Sequence, residues 1–534
     1  MATAGARAVG ADYVIDARRD RLVIFASTLG TVFEWYDFFI YGTLAAVIGK
    51  TFFPLGSETA QFLAALASFG VGFGVRPLGA LLFGYLGDRL GRKYTFLVTI
   101  ALMGVATAAV GLVPSYAAIG VAAPALLVGL RVLQGLALGG EYGGAAIYVA
   151  EHAPREKRGF YTSFIQAGVI GGFLLSVTVV LVSETVVDKA AWAAWGWRIP
   201  FLFSIVLLAV SMWVRLKLKE SPVFQAMKAA GEVAKNPIRE SFSSWANVKL
   251  VLVALFGIAA GLTVIWYTAQ FQAMYFLQNA LRIEDSAARA MIGAAALVSV
   301  FWFILFGWLS DRVGRRKPIL IGYSLTILLM FPLFHWMAAA ANPALSQAMA
   351  RSPVVVSGSD CEYHPFATVQ PTACGKLLDT LSKKGIAYKT TRGNPGALPV
   401  VTVGGAALDP GPDGLDRSLA AAGYKLEKTR PTLPQALQVV LAIVVIGLCS
   451  GMTFGPVAAL LTELFPARIR YTSMSVPYHI GTGYFGGFLP FISQYIVART
   501  GDPFAGLWYT IAVAGMALVV TALWLPETAG KELE

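Results

Sequence analysis

GYLGDRLGRKYT at residues 84–95 and GWLSDRVGRRKP at residues 307–318 spell one pattern twice, G-x-L-x-D-R-x-G-R-[KR]. Each copy follows a long apolar run. Further along, each half carries a second charged connection, EHAPREKRG at 151–159 and ELFPARIRY at 463–471. A plain basic anchor accounts for the Arg and Lys residues. It does not account for Asp and Gly at the same offsets. The chain therefore reads as an internal duplication, six apolar segments followed by six more.

The apolar segments fall near 22–49, 59–87, 94–113, 121–150, 160–183, 198–217, 248–277, 287–309, 318–340, 434–462, 471–497 and 506–525. Each reaches or approaches the roughly 20 residues that cross a bilayer as a helix. In lipid the backbone must pair within the segment, which favours helices, and the alternating pattern of a membrane barrel is absent. Of the 534 residues, 57% are hydrophobic and 13% are charged, whereas soluble domains carry about 25% charged residues. The expected fold is an all-α integral membrane protein. Twelve transmembrane helices form two pseudo-symmetric six-helix halves.

Lys and Arg cluster after segments 2, 4, 6 and 8. The positive-inside bias then puts those connections and both termini in the cytoplasm. The net charge of +12 becomes a topology signal, and no basic, aromatic-studded patch suggests nucleic acid. The first 20 residues lack a cleavable apolar core, so no removable signal peptide is expected. The expected organisation is a cytoplasmic segment 1–21, an N-terminal half 22–217 and a linker 218–247. Helices 7–9 follow at 248–341, an insert at 342–432, helices 10–12 at 433–526 and a cytoplasmic tail at 527–534.

The insert breaks the pattern, being polar and rich in Pro and Gly. GKLLDTLSKKGIAYKT followed by LPVVTVGG reads as a short helix and then a strand, hence a small extracytoplasmic α/β domain. Cys361 and Cys374 lie in it. On an oxidising face they would pair, with about 3 kcal/mol of stabilisation in the chain-entropy picture; the other reading is two free thiols in a loose loop. Cys449 lies within helix 10 and reads as packing. No metal-ligand spacing, P-loop, GxSxG or HExxH is present, so no cofactor, metal, catalytic residue or enzyme activity is expected.

The repeated connections read as a latch. Asp88, Arg89 and Arg92 in the first copy, and Asp311, Arg312 and Arg315 in the second, are placed to pair across the halves with Glu151, Arg158, Glu463 and Arg470. Single exposed pairs are worth about 0–1 kcal/mol. A network that closes in one state still biases a two-state equilibrium.

EWYDFFIYG in helix 1, FGVGFGVRPLG in helix 2, RVLQGLALGGEYGG in helix 4, WGWRIPF entering helix 6 and KESPVF after it resemble the metabolite:proton symporter branch of the major facilitator superfamily. That branch carries organic acids such as shikimate, α-ketoglutarate and citrate, and also proline and betaine. The resemblance covers all twelve helices but not the insert. It implies a monomeric secondary transporter in the bacterial inner membrane that imports a small organic acid by proton symport. The alternatives are a symporter of a zwitterionic osmolyte, or a carrier-like sensor whose outer insert binds a partner.

Ionisable groups inside a membrane are costly and mostly functional. Glu34, Asp37 and Tyr41 share one face of helix 1; Arg131, Gln134 and Glu141 lie close to one face of helix 4. Asp37 and Arg131 lie roughly 18 Å and roughly 15 Å below the outer surface, so they meet if the helices are neighbours. An isolated buried acid keeps its proton, and one beside a guanidinium releases it. The resemblance assigns Asp37 as proton carrier, Arg131 as its modulator and Glu34 as the second acidic candidate. Arg76 is placed to pair with Glu34 or with a substrate carboxylate. Tyr142, Gln166, Trp266, Tyr267 and Gln270 are further cavity candidates, and His479 reads as a satisfied core histidine.

Overall fold

The computed structural model describes residues 17–533 apart from 56, 91, 141, 217–236, 368, 395–396, 409–412 and 467–468. Side chains are described outside 17–27, 84–96, 142, 144–145, 148, 152, 214–215 and 237–238. The helices form twelve spans. Span 1 is Ala17–Thr43 continued by Ala45–Phe52, span 2 Glu58–Gly74 with Arg76–Leu90, and span 3 Arg92–Leu112. Span 4 is Ala122–Gly139 with Tyr142–His152, span 5 Arg158–Val186, span 6 Ile199–Leu216 and span 7 Trp245–Ala280. Span 8 is Asp285–Val313, span 9 Arg316–Ala341 and span 10 Leu433–Phe454 with Val457–Leu464. Span 11 runs from Arg470 to Thr500, and span 12 is Leu507–Trp524.

Among the described residues, nine helices are long and apolar enough to cross a membrane; they are spans 2, 4–10 and 12. Span 3 is apolar over a shorter stretch, Leu97–Leu112. Span 11 is interrupted by a wide turn at Gly481–Gly487.

Several spans break where the sequence forces them to. Pro77 lacks an N–H and crowds the carbonyl four residues back, so span 2 breaks at Val75 and restarts at Arg76. Gly455 and Pro456 break span 10 in the same way. Span 7 contains three wide, π-type turns at Val253–Ala259, Thr268–Gln272 and Phe276–Ala280. Such turns gather at functional sites, and this helix lines the middle of the molecule. Spans 5 and 8 cross closely because Gly307 has no side chain: a Cβ there would lie 2.5 Å from Ser163 Cβ.

The insert has its own core, built on Val354, Val356, Leu378, Leu381, Ile386, Val401, Val403 and Leu419. Its strands are β1 (Val354–Gly358), β2 (Tyr388–Arg392), β3 (Val400–Val403) and β4 (Ala406–Ala407), in the order β2-β1-β3-β4. β1 and β2 are parallel, joined through the helix Ala373–Lys383; β3 runs antiparallel to β1. Cys361 and Cys374 are disulfide-bonded.

The insert docks on the bundle where spans 7 and 8 meet and span 11 ends. Thr429 N–H donates to the Arg282 carbonyl at 2.8 Å, Glu284 N–H to the Thr429 carbonyl at 3.0 Å, and Tyr388 N–H to the Gly501 carbonyl at 3.1 Å. Lys428 pairs with Asp285 at 2.8 Å. Arg282 adopts φ 56°, in the left-handed region, and its guanidinium reaches the Lys384 carbonyl of the insert. The repeated charged connections lie at the opposite end of the bundle.

Candidate functional site

Span 1 presents Phe38 and Tyr41 on one stripe, and two arginines from the neighbouring spans 2 and 4 stack on it. The guanidinium of Arg131 lies 4.2 Å from the Phe38 ring centre, 4.5 Å from Tyr41 and 5.2 Å from Phe69. That of Arg76 lies 4.1 Å from Phe73, 4.8 Å from Trp35 and 4.9 Å from the same Phe38 ring. Both side chains are fully buried. Of their six side-chain nitrogens, five have no hydrogen-bond partner; the sixth, Arg131 Nη1, donates to Gln134 Oε1 at 2.6 Å. Gln134 in turn donates to Thr107 at 2.7 Å, which fixes the Arg131 rotamer from span 3.

The expected Asp37–Arg131 pair does not form. Asp37 is 5% exposed, and its Oδ1 has no hydrogen-bond partner. The hydroxyl facing it is that of Ser204 in span 6. The reason is angular. Successive helix residues are turned by about 100°, so Asp37 points toward span 6 while Phe38 takes the face toward span 4. Arg76 does not bond Glu34 either, since all three of its nitrogens are unpartnered. Glu34 and Gln166 are buried. Tyr41 shares a hydrogen bond with Ser68.

The C-terminal half closes over this site with aromatic rings. Trp266 stacks on Phe39 at 4.9 Å, Tyr267 lies against Phe73 at 5.6 Å, and Phe271 contacts Phe69 at 5.6 Å. Trp266 Nε1, the Tyr267 hydroxyl and Gln270 Oε1 are buried without partners. His479 is not a satisfied core histidine: it lies beside Arg76, and neither ring nitrogen is bonded. It is 1% exposed, and the ring beside it is that of its neighbour Tyr478. Glu141 lies outside the described residues, as does the side chain of Tyr142.

At the far end the charges pair. Glu463 accepts from Arg158 at 2.8 Å and from Arg315 at 3.0 Å. Asp311 pairs with Arg315 at 2.6 Å and also accepts the backbone N–H groups of Gly159 and Phe160 at 2.7 and 2.8 Å. Those N–H groups open span 5, where the helix dipole favours a carboxylate. Arg470 pairs with Glu151 at 3.4 Å. Arg312 takes no part: it lies exposed over the Trp308 ring, 3.9 Å from its centre, one helical step away from Asp311. The side chains of Asp88, Arg89 and Arg92 lie outside the described ones.

The C-terminal segment, expected only as a tail, straps this latch. Thr528 donates to Glu463 at 2.9 Å, and the Lys531 carbonyl accepts from Arg158 at 3.2 Å. Burial would raise the carboxyl of Glu527. Four backbone N–H groups, at Ala529, Arg315, Arg316 and Thr528, outweigh burial and hold it below the usual carboxylate range. No local pattern in LPETAG at 525–530 marks this strap.

Comparison with known proteins gives a consistent family. Residues 22–255 match the family "Sugar (and other) transporter". The chain is 32% identical over 513 residues to the inner membrane metabolite transport protein YhjE of Escherichia coli, covering 94% of this chain and 93% of that protein. It is 41% identical over 323 residues to the Escherichia coli shikimate transporter, covering 60% of this chain and 72% of that protein. Over 327 residues it is 37% identical to the proline/betaine transporter of the same organism, covering 60% of this chain and 65% of that protein. The proton:xylose symporter XylE, a major facilitator superfamily structure, superposes with a TM-score of 0.64 at 16% identity, covering 97% of this chain and 98% of that one. A duplicated helical bundle, a latch across its halves and these relatives agree: the chain belongs to the sugar (and other) transporter family of the major facilitator superfamily, a family of membrane transporters and not of enzymes.

Proposed function

We propose that the protein imports a small carboxylate metabolite across the bacterial inner membrane by proton symport. The carrying observation is the pair of buried guanidiniums, Arg76 and Arg131, with five unpartnered nitrogens between them. Burying an unpaired ion costs several kcal/mol. Stacking on aromatic rings offsets about 2 kcal/mol for each desolvated cation. The remainder calls for an anion. A guanidinium offers a planar fork that matches a carboxylate, and two forks sharing one ring suit one dicarboxylate or one carboxylate with neighbouring hydroxyls.

Asp37 is the proposed proton carrier. It is buried next in sequence to Phe38, the ring both arginines share, its Oδ1 is unbonded, and among the described residues no ion pair fixes it. Arg131 acts on substrate in this reading. Glu34, Tyr41, Gln134, Gln166, Trp266, Tyr267 and Gln270 are proposed to shape the cavity. The latch is proposed to be the cytoplasmic gate, closed here, which puts the insert outside. A second reading shares the arginine pair: a zwitterion lays its carboxylate there and its ammonium against Trp266, Tyr267 and Phe39, since aromatic faces attract quaternary ammonium groups. The proline/betaine relatives favour it.

The test is uptake into sealed vesicles under an imposed inward proton gradient, with shikimate, a dicarboxylate and glycine betaine in competition. Uptake of an acid that an uncoupler abolishes supports the first reading. Preference for betaine supports the second, and uptake indifferent to the uncoupler rules out symport.

A further inference from the structure

The insert holds chemistry that transport does not use. Its two cysteines are bonded, with Cα atoms 4.9 Å apart, yet their sulfurs have unequal surroundings. Cys374 is 4% exposed and is the second residue of the helix Ala373–Lys383. Cys361 is half-buried and lines an open cavity of about 480 Å³, along with Glu362, His364, Thr391 and Arg392. This cavity opens at the carboxyl ends of the parallel strands β1 and β2, where ligand sites of α/β sheets gather. The bond lies flat on Gly358, the last residue of β1: a Cβ there would be 2.6 Å from Cys361 Sγ and 3.3 Å from Cys374 Sγ.

The loop between the cysteines is pinned independently of the disulfide. Thr372 Oγ1 donates to the Asp360 carbonyl at 2.9 Å. Gln370 accepts from His364 N–H at 3.1 Å and donates to its carbonyl at 2.8 Å. Thr372 also caps the helix by accepting from Gly375 N–H at 2.9 Å. Opening the S–S bond therefore leaves the two sulfurs side by side, ready to close again.

We propose that Cys361–Cys374 is a thiol–disulfide exchange site that takes a small peptide thiol, with Cys361 Sγ as the sulfur attacked and Cys374 as the leaving thiolate. Access selects Cys361. The helix N-terminus favours negative charge on Cys374, and a better leaving thiolate speeds exchange. In the first step the incoming thiolate bonds to Cys361 Sγ as the Cys361–Cys374 bond breaks, and the electron pair leaves on Cys374. In the second step another thiolate attacks the outer sulfur of the mixed disulfide, Cys361 leaves as thiolate, and the disulfide of the small thiol departs. The insert gains two electrons, and protons from solvent on its thiolates; two thiols are oxidised. Glu362 and Arg392 on the cavity wall give charge of both signs, which suits a peptide with free amino and carboxylate groups.

The experiment uses full-length protein in lipid nanodiscs with Cys449→Ala as background and glutathione as probe. After alkylation, mass spectrometry reads free thiols and adducts. Glutathione that reduces an exposed reference disulfide is expected to open Cys361–Cys374, and oxidised glutathione to close it again. With oxidised glutathione as the oxidant, releasing one reduced glutathione per adduct, Cys374→Ser is expected to take glutathione on Cys361 at least about tenfold faster than Cys361→Ser takes it on Cys374. A wild-type disulfide that stays intact while the reference is fully reduced overturns the proposal, and that result needs no cysteine-pair variant to fold. Equal rates at the two sulfurs overturn the assignment of roles.

Discussion

Two pairs of the molecule's buried arginines are treated in opposite ways. At the latch, Arg158 and Arg315 converge on Glu463, and Asp311 ties Arg315 to the first backbone N–H groups of span 5. In the middle of the bundle, Arg76 and Arg131 have aromatic rings but, among the described residues, no carboxylate. Where the chain supplies the counter-charge, the proposed role of the pair is a conformational lock between the halves. Where it does not, the proposed counter-charge is the substrate. In the proposed function the same residue type serves a gate at one end and a binding site at the centre, and the counter-charges the chain supplies tell them apart.

Replacing an arginine breaks the comparison most sharply. Arg131→Gln and Arg76→Gln are each expected to weaken substrate binding by about 3 kcal/mol, on the order of a hundredfold in Kd. Calorimetry on the purified protein reads this directly. At the latch, Glu463→Gln leaves Arg158 and Arg315 buried and facing a neutral group, a change that costs about 3–5 kcal/mol. It is expected to speed hydrogen exchange at 155–163 and 311–316 while substrate affinity falls little. Asp37→Asn is expected to abolish uphill accumulation and its dependence on the proton gradient while substrate exchange continues; full accumulation in that variant removes Asp37 from the coupling.

The strap gives a smaller effect with a pH signature. Glu527 is held below the usual carboxylate range, so its contribution to the closed latch is present above that range and is lost only as pH falls through the lowered value. Glu527→Gln is expected to loosen the latch by about 1–2 kcal/mol, read as faster exchange at 315–316 at neutral pH. Smallest is the exposed pair Arg155–Glu532 at 3.3 Å: Arg155→Ala is expected to change stability by less than about 1 kcal/mol, with no measurable change in transport.

How much of this was legible in the sequence depends on the length scale. The duplicated connections announced the two halves because their Asp, Arg and Gly residues recur at fixed offsets, and Arg158, Asp311, Arg315 and Glu463 meet where those offsets bring them. Most of the twelve spans followed from apolar length; among the described residues spans 1, 3 and 11 do not reach that length uninterrupted. The centre was harder. Asp37, Arg76 and Arg131 stood out as charges in apolar runs, but pairing depends on helix rotation. The angular step that turns Phe38 toward Arg131 turns Asp37 toward Ser204. The ring cage around the arginines was hidden among the many aromatic residues of a membrane chain. The strap at Glu527 and Thr528 depends on the path of the last residues across the bundle, which no local pattern encodes.

The arginine pair carries the account, and calorimetric titration of the full-length protein with its best transported acid and with the primary amide of that acid tests it most directly. Heat is expected from the acid, lost in both Arg76→Gln and Arg131→Gln, and none from the amide. Equal affinity for acid and amide, or unchanged binding in both variants, would contradict it.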